Sequence, residues 1–438
     1  MTDWTEDYIH SLSIDPTILR NGQKLAQASK WVSTGTNQQA AWGLAHGSAK
    51  EPYRVSIDLK DAATKCSCPS RKFPCKHAIG LMLMLVKDAV PQAEVSPDWV
   101  TAWTESRQAR QHKSEQASTK PKEVNPVAKA KREAARLAKV SAGIEELRLF
   151  LEDLARNGLD DPRTKSYDYW DRIAARMVDA QMQPLARRLR TLGGRPFQKK
   201  ANWVDQRADE IGQLYALTDA YLNLDRLPED LQQDVRAAVG FSSRTEEITA
   251  TQPGISDQWL VVGQYQQKEV GLMERRTWLY GTTNQKLALI LDFTHPSQTF
   301  TTAYPLGYTL DAEIVYYPSA YPQRAVVGQL KQIRPFRDSV QPLWYTHNEQ
   351  ILDTYADALT CNPFLTRIPA GLQPAFPTHS SLIDTTGKSL PLTGVSNPRW
   401  LQTIIGGDWM PVFGEWDGET FKLLSLLTTE GWISATNE

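Results

Sequence analysis

Between Tyr53 and Leu59 the chain alternates strictly: Tyr53, Val55, Ile57 and Leu59 are apolar, and Arg54, Ser56 and Asp58 are polar. A period of two predicts a strand with one buried face. Ala40–His46 reads as an earlier strand, with Gly47, Ser48 and Pro52 as turn material between the two. A short helix is expected around Pro16–Lys30. The almost wholly apolar run Ala78–Lys87 suits a buried helix and is too short to cross a membrane. Pro97 and Asp98, followed by Trp99 and Trp103 four apart, predict a short capped helix.

The pattern fades over residues 104–140, where ten Lys/Arg stand against four Glu and apolar residues are scarce until Leu137. Gln108–Asn125 resembles a disordered linker. From Pro126 a helical period takes over, carried by Ile144, Leu147, Leu149, Leu151 and Leu154 and ended by Asn157-Gly158. Further helices are expected at Asp168–Ala180, Pro184–Leu192, Asn202–Leu224 and Pro228–Val239. From Asp257 the period returns to two, with strands at Trp259–Gly263, Arg275–Tyr280, Leu287–Phe293, Ala312–Tyr316, Trp409–Trp416 and Phe421–Leu427. A helix at Asn348–Thr360 interrupts them. No repeat recurs at a fixed period.

Length and composition add bounds. A chain of 438 residues fits two or three domains. Its net charge of −1 gives no overall field toward nucleic acid or membrane, so any such affinity needs a local patch. No run of about 18 apolar residues occurs. Met1–His10 is polar and acidic, without the apolar core of a signal peptide. The expected compartment is the cytoplasm, and no membrane partner is expected.

Three of the four cysteines fall within ten residues, which points to a metal site rather than a disulfide framework. The motif is Cys66-Ser67-Cys68, six residues, then Cys75-Lys76-His77. Zinc takes four such ligands in a tetrahedron. Pro74 suits the start of the following helix, whose positive end favours thiolates at Cys75. Arg71, Lys72 and Lys76 offset thiolate charge. A Cys66–Cys68 disulfide would be strained. An iron–sulfur cluster would need the distant Cys361, and a Cys–His catalytic pair needs one exposed thiolate rather than three clustered ones. With all four positions filled by protein, one structural Zn2+ held by Cys66, Cys68, Cys75 and His77 is expected, with Cys361 outside the set.

Cys-x-Cys, a short spacer and Cys-x-His, set between a strand pair and an apolar helix, resemble the SWIM-type zinc finger. Ala41–Leu85 is a close match to its bacterial form and covers about a tenth of the chain. The full-length layout is similar to bacterial SWIM zinc finger proteins, as are Gly143–Gly158, Arg176–Arg190 and Tyr316–Arg324. The resemblance implies zinc as ligand and DNA-binding or protein–protein interaction for the finger. It implies no catalytic residue.

Other constellations have two readings each. Arg187, Arg188, Arg190, Arg195, Lys199 and Lys200 form either a phosphate-contacting patch or a solvated helix face and loop; the solvated face is favoured. Lys129–Lys139 reads the same way. Tyr316, Tyr317, Tyr321 and Arg324 form a recognition surface or, as favoured, a rigid loop packed on a sheet. Glu415-Trp416-Asp417-Gly418 holds two carboxylates but reads as a hairpin turn. His46, His295, His347 and His379 stand isolated, and no Gly-rich phosphate loop, HExxH or GxSxG occurs.

The expected architecture is α+β and multidomain. It comprises a small ββα zinc-binding module in residues 1–103, a basic flexible linker in 104–125, a helical domain in 126–245 and an α+β domain with antiparallel strands in 246–438. The expected function is a non-enzymatic interaction or adaptor module. An enzyme with its site in residues 250–438 remains the alternative. Protein partners rank ahead of nucleic acid. DNA binding, if present, would use Lys65, Arg71, Lys72, Lys76 and the basic stretch Arg107–Lys139.

Overall fold

The alternation at Tyr53–Leu59 becomes one strand of a four-stranded antiparallel sheet. The computed structural model describes residues 4, 6, 9, 16–47, 51–59, 62–70, 74–107, 126–194, 203–269, 271–295, 300, 302–336, 344–395 and 397–435. Helix α1 (Pro16–Leu25) precedes strands β1 (Trp31–Thr36), β2 (Ala40–Ala45), β3 (Tyr53–Asp58) and β4 (Thr64–Cys66), which pair in that order. The expected strand pair is the centre of this sheet. β1 and β4 carry too little apolar alternation to stand out.

Helix α2 (Lys76–Val86) lies on one face, in a core shared with Ala41, Ala45, Val55 and Ile57. Its residues from His77 to Met84 are all buried, because α1 covers the side that the sheet leaves open. The two helices touch at glycines. Gly22 abuts Ile79, and a Cβ on Gly80 would come within 2.8 Å of the Leu25 Cβ. The opposite face takes helix α3 (98–107), whose Val100 is buried against Ala40 and Trp42.

Helices α4 (Pro126–Asn157), α5 (Tyr167–Asp179), α6 (Gln183–Gly194), α7 (Trp203–Leu222) and α8 (Glu229–Val239) enclose one core. It includes Ile144, Leu147, Leu151, Leu154, Trp170, Leu189, Leu214 and Val235. Leu149, counted above in the apolar pattern, is 65% exposed. It lies two residues from Leu147 and from Leu151, on the other side of the helix. A short α9 (Thr245–Thr251) leads to the strands.

β5 (Gly254–Glu269), β6 (Leu272–Gly281), β7 (Leu287–Thr294), β8 (Tyr308–Tyr316) and β9 (Arg324–Pro335) close a barrel in the order β5-β6-β7-β9-β8. β7 and β9 are its parallel pair. After α10 (Asn348–Cys361), the same order recurs in β10 (Ile368–Pro377), β11 (Ser381–Asp384), β12 (Ser389–Thr393), β13 (Met410–Trp416) and β14 (Phe421–Thr428). There β12 and β14 form the parallel pair, α11 (Pro398–Ile405) sits between the third and fourth strands, and β15 (Gly431–Ser434) extends β14. The topology repeats where the sequence does not. Both are five-stranded Greek-key arrangements.

The two units meet through the outside of the first. On β5, Trp259 and Val261 face the barrel core, while Leu260 and Val262 join Trp278, Tyr280, Phe413 and Leu424 between the units. A strand buried on both faces reads as a continuous apolar run, here Trp259–Val262. At the margin, Glu415 is 1% exposed and fully engaged. Its Oε1 accepts from Arg276 Nε at 3.0 Å and Trp278 Nε1 at 2.8 Å. Its Oε2 accepts from Arg367 Nη1 at 2.9 Å and the Tyr265 hydroxyl at 3.2 Å. The expected turn follows it: Asp417 Oδ1 accepts from the Glu419 and Thr420 amides, with Gly418 at φ +95°.

Burial pushes the Glu415 carboxyl up, but Arg276 and Arg367 outweigh it and hold the group below the usual carboxylate range. A depressed carboxyl contributes stability above its unfolded value of about 4.3, and the contribution fades as pH falls through the folded value. Glu415→Gln removes the counter-charge of two guanidiniums, at a cost of about 3 kcal/mol, the lower end for a broken buried pair. Urea unfolding at pH 7 is expected to show that loss, and the difference from wild type should shrink below about pH 4. Equal stability at pH 7 would contradict a stabilising role for the Glu415 cluster.

Candidate metal centre

The register of the sheet delivers two of the four donors. Cys66 ends β4 opposite Val55, on the side that faces α2, and Cys68 follows on the turn. Cys75 is the N-cap of α2 and His77 lies in its first turn. The donor atoms of Cys66, Cys68, Cys75 and His77 all lie within 4.8 Å of one another. His77 turns Nδ1 toward the thiols, 3.9 Å from the sulfurs of both Cys66 and Cys75. Zn–S bonds near 2.3 Å and Zn–N bonds near 2.0 Å give a sulfur–nitrogen edge of roughly 3.5 Å in a tetrahedron. Both sulfur–nitrogen separations are a few tenths of an ångström from that.

Electrostatics give a second test of fit. The Cys75 thiol is lowered to about 4, first by the hydrogen bond from Cys66, against burial, with His77 and the Ala78 amide assisting. The Cys66 thiol is pushed up, first by that same bond and then by burial, and Cys68 is pushed up mainly by burial. One thiolate forms readily here and two resist. A divalent cation supplies the charge that lets all three ionise, so the donor set fits one structural Zn2+. Protein donors fill all four positions, which leaves zinc the task of joining β4 to α2. Cys361 is exposed at the end of α10 and outside the set.

The sequence did not reveal the support around His77. Tyr53 packs against its ring at a centroid distance of 5.1 Å. The signal was the inward position of Tyr53 in the same alternation that places Val55 opposite Cys66.

The other candidates fall as follows. Lys65 and Lys76 are exposed beside the site, whereas Arg71 and Lys72 lie outside the described residues, as do Arg195, Lys199, Lys200 and the stretch Gln108–Asn125. On the bundle, Arg190 pairs with Asp171 at 2.7 Å, as on a solvated helix face, whereas Arg188 is half-buried, donates to Gln213 at 3.2 Å and is lowered by burial from its ordinary range. The Tyr-rich stretch packs inward: Tyr316 donates to the Leu287 carbonyl, Tyr321 joins the core of the second β unit, and Arg324 lies 4.4 Å from the Tyr317 ring centroid. Among the described residues, no helix is long and apolar enough to cross a membrane.

Residues 53–86 match the family model of the SWIM zinc finger, and residues 135–239 match that of the SWIM-associated four-helix bundle domain. The first match spans β3, β4, the donors and α2. The second spans the helical core from α4 to α8. No curated protein and no solved structure matches the chain.

Purified full-length chain is expected to carry one zinc. Structural zinc contributes roughly 10 kcal/mol or more of apparent binding free energy. Cys68→Ala and His77→Ala should therefore lose the metal and open residues 31–90 to protease, with the bundle intact. Cys361→Ser should keep one zinc per chain. Metal analysis showing full zinc in Cys68→Ala, or none in Cys361→Ser, contradicts the assignment.

Proposed function

The chain is a SWIM-type zinc finger protein, and we propose that it is a non-catalytic adaptor whose finger presents a rigid surface to a protein partner. The observation that carries this reading is the closed donor set, in which four protein groups leave zinc no position for water or substrate. The Glu415 cluster gathers Arg276, Arg367 and Glu415 at the junction of the two β units. We read it as structural, since both carboxylate oxygens are already satisfied by protein donors.

Protein is placed ahead of nucleic acid for two reasons. Greek-key barrels of this order often bind oligonucleotides through the outer face of their second and third strands. In the first barrel the corresponding residues Trp278, Tyr280 and Leu289 are buried with Phe413 and Leu424. In addition, residues 246–438 hold nineteen Asp/Glu and twelve Lys/Arg, a balance that repels phosphate. The bundle and barrels also touch: Gln206 donates to Glu419, and Asp234 accepts from the Ala320 amide. Clustered reduced cysteines suit the cytoplasm, the compartment this reading assumes.

The test is capture from a native extract by immobilised wild type and by the Cys68→Ala variant. A protein retained by wild type alone, and insensitive to salt between about 50 and 200 mM, is the expected result. Duplex DNA binding would instead fall with a log–log slope near −0.9 per phosphate contacted. Steeply salt-dependent DNA binding that needs Lys65 and Lys76 would reverse the ordering.

A further inference from the structure

Away from the metal donors, α3 and the edge strand β4 frame a groove of about 570 Å³. Lys65, Trp99, Ala102, Trp103, Ser106 and Arg107 line it. Successive strand residues face opposite sides, so Lys65 turns away from the zinc because Cys66 turns toward it. On α3, Trp99, Trp103 and Arg107 recur every four residues and form one stripe. Val100 is buried against Ala40 and Trp42 and Trp99 packs on the same cluster, which fixes the helix with the stripe along the groove. Both indoles are half-buried.

The charges on this face are mostly positive. Lys65 is exposed, and Arg54 projects from the same side of β3 and is also exposed. Arg107 sits 5.5 Å from the Trp103 ring centroid and donates to Asp58 at 3.3 Å. Asp58 is therefore already engaged by a cation. Along the groove, β4 pairs only with β3 among the described residues, as an edge strand.

We propose that this groove is a docking site for an acidic, extended peptide segment of a partner protein. The inference rests on the reading of the finger as a protein-interaction module and names the chemistry of its partner. Apolar side chains of the segment lie on Trp99 and Trp103, the kind of rigid aromatic surface that dominates interface energy. Its carboxylates meet Lys65 and Arg54, and its backbone runs beside β4, as in strand addition to a sheet edge. A nucleic-acid strand shares the stacking and the charge but has no use for a sheet edge, and this favours peptide.

The experiment is selection of a random dodecapeptide library on zinc-loaded full-length protein, with counter-selection on the Lys65→Glu/Trp103→Ala double variant. Metal content and circular dichroism of the variant establish that it is folded. If the variant does not fold, the exposed substitution Lys65→Glu alone serves. Enriched peptides are expected to carry net negative charge with at least one aromatic or large aliphatic residue, and to bind wild type at least tenfold more tightly than the variant. No enrichment, neutral or basic winners, or equal binding to both proteins overturns the proposal. So does a decathymidylate probe that binds in a Trp103-dependent way while no acidic peptide does. The extract capture separates this failure from failure of the broader reading. A partner that needs Cys68 but is indifferent to Lys65 and Trp103 leaves the interaction module standing and removes the groove.

Discussion

Three thiols and an imidazole gathered within one coordination sphere are the constraint on which the N-terminal module depends. Cys66 and Cys68 come from the end of a three-residue strand and the turn after it, and Cys75 and His77 from the start of a helix. Packed this closely, the thiols cannot all ionise alike: the hydrogen bond from Cys66 favours the Cys75 thiolate and disfavours ionisation of Cys66. A divalent ion turns that conflict into a bond between β4 and α2. The short edge strand is then held in register, and the face that carries Lys65 is fixed relative to α3. The geometry of the groove beside Lys65 is thus set by chemistry on the opposite side of the sheet.

A second buried charge organises the other end of the chain by different means. Glu415 holds Arg276, Trp278, Tyr265 and Arg367 together where two β units meet. Its neighbours Phe413 and Leu424 fill the contact with apolar surface. The zinc site lacks charge until an ion supplies it, whereas this cluster carries its counter-charges within the chain. The first fits a module that depends on metal, and the second a platform that needs only folding.

Much of this was legible in the sequence, and the gaps have physical causes. The Cys-x-Cys and Cys-x-His spacing gave all four donors, because ligand type and local spacing nearly determine a zinc site. The period of two found β3, and the apolar run found α2. Leu149 was misplaced because a leucine count ignores which side of a helix each position occupies. The repeated barrel topology was hidden because β5 is buried on both faces and reads as a continuous run, and because the strand order depends on distant pairings such as Leu289 with Arg324. Glu415 read as part of a turn since its partners lie 48 to 150 residues away. The groove at Trp103 was half visible as a stripe on α3, but Lys65 joins it only through the sheet.

Hydrogen exchange of the full-length protein, with and without a strong zinc chelator, tests the central claim most directly. Protection in residues 31–90 and in α3 is expected to collapse on chelation, while α4–α8 and both β units keep theirs. Unchanged protection in residues 31–90 after complete zinc removal would show that the sheet and α2 hold together by packing alone, and would contradict the account.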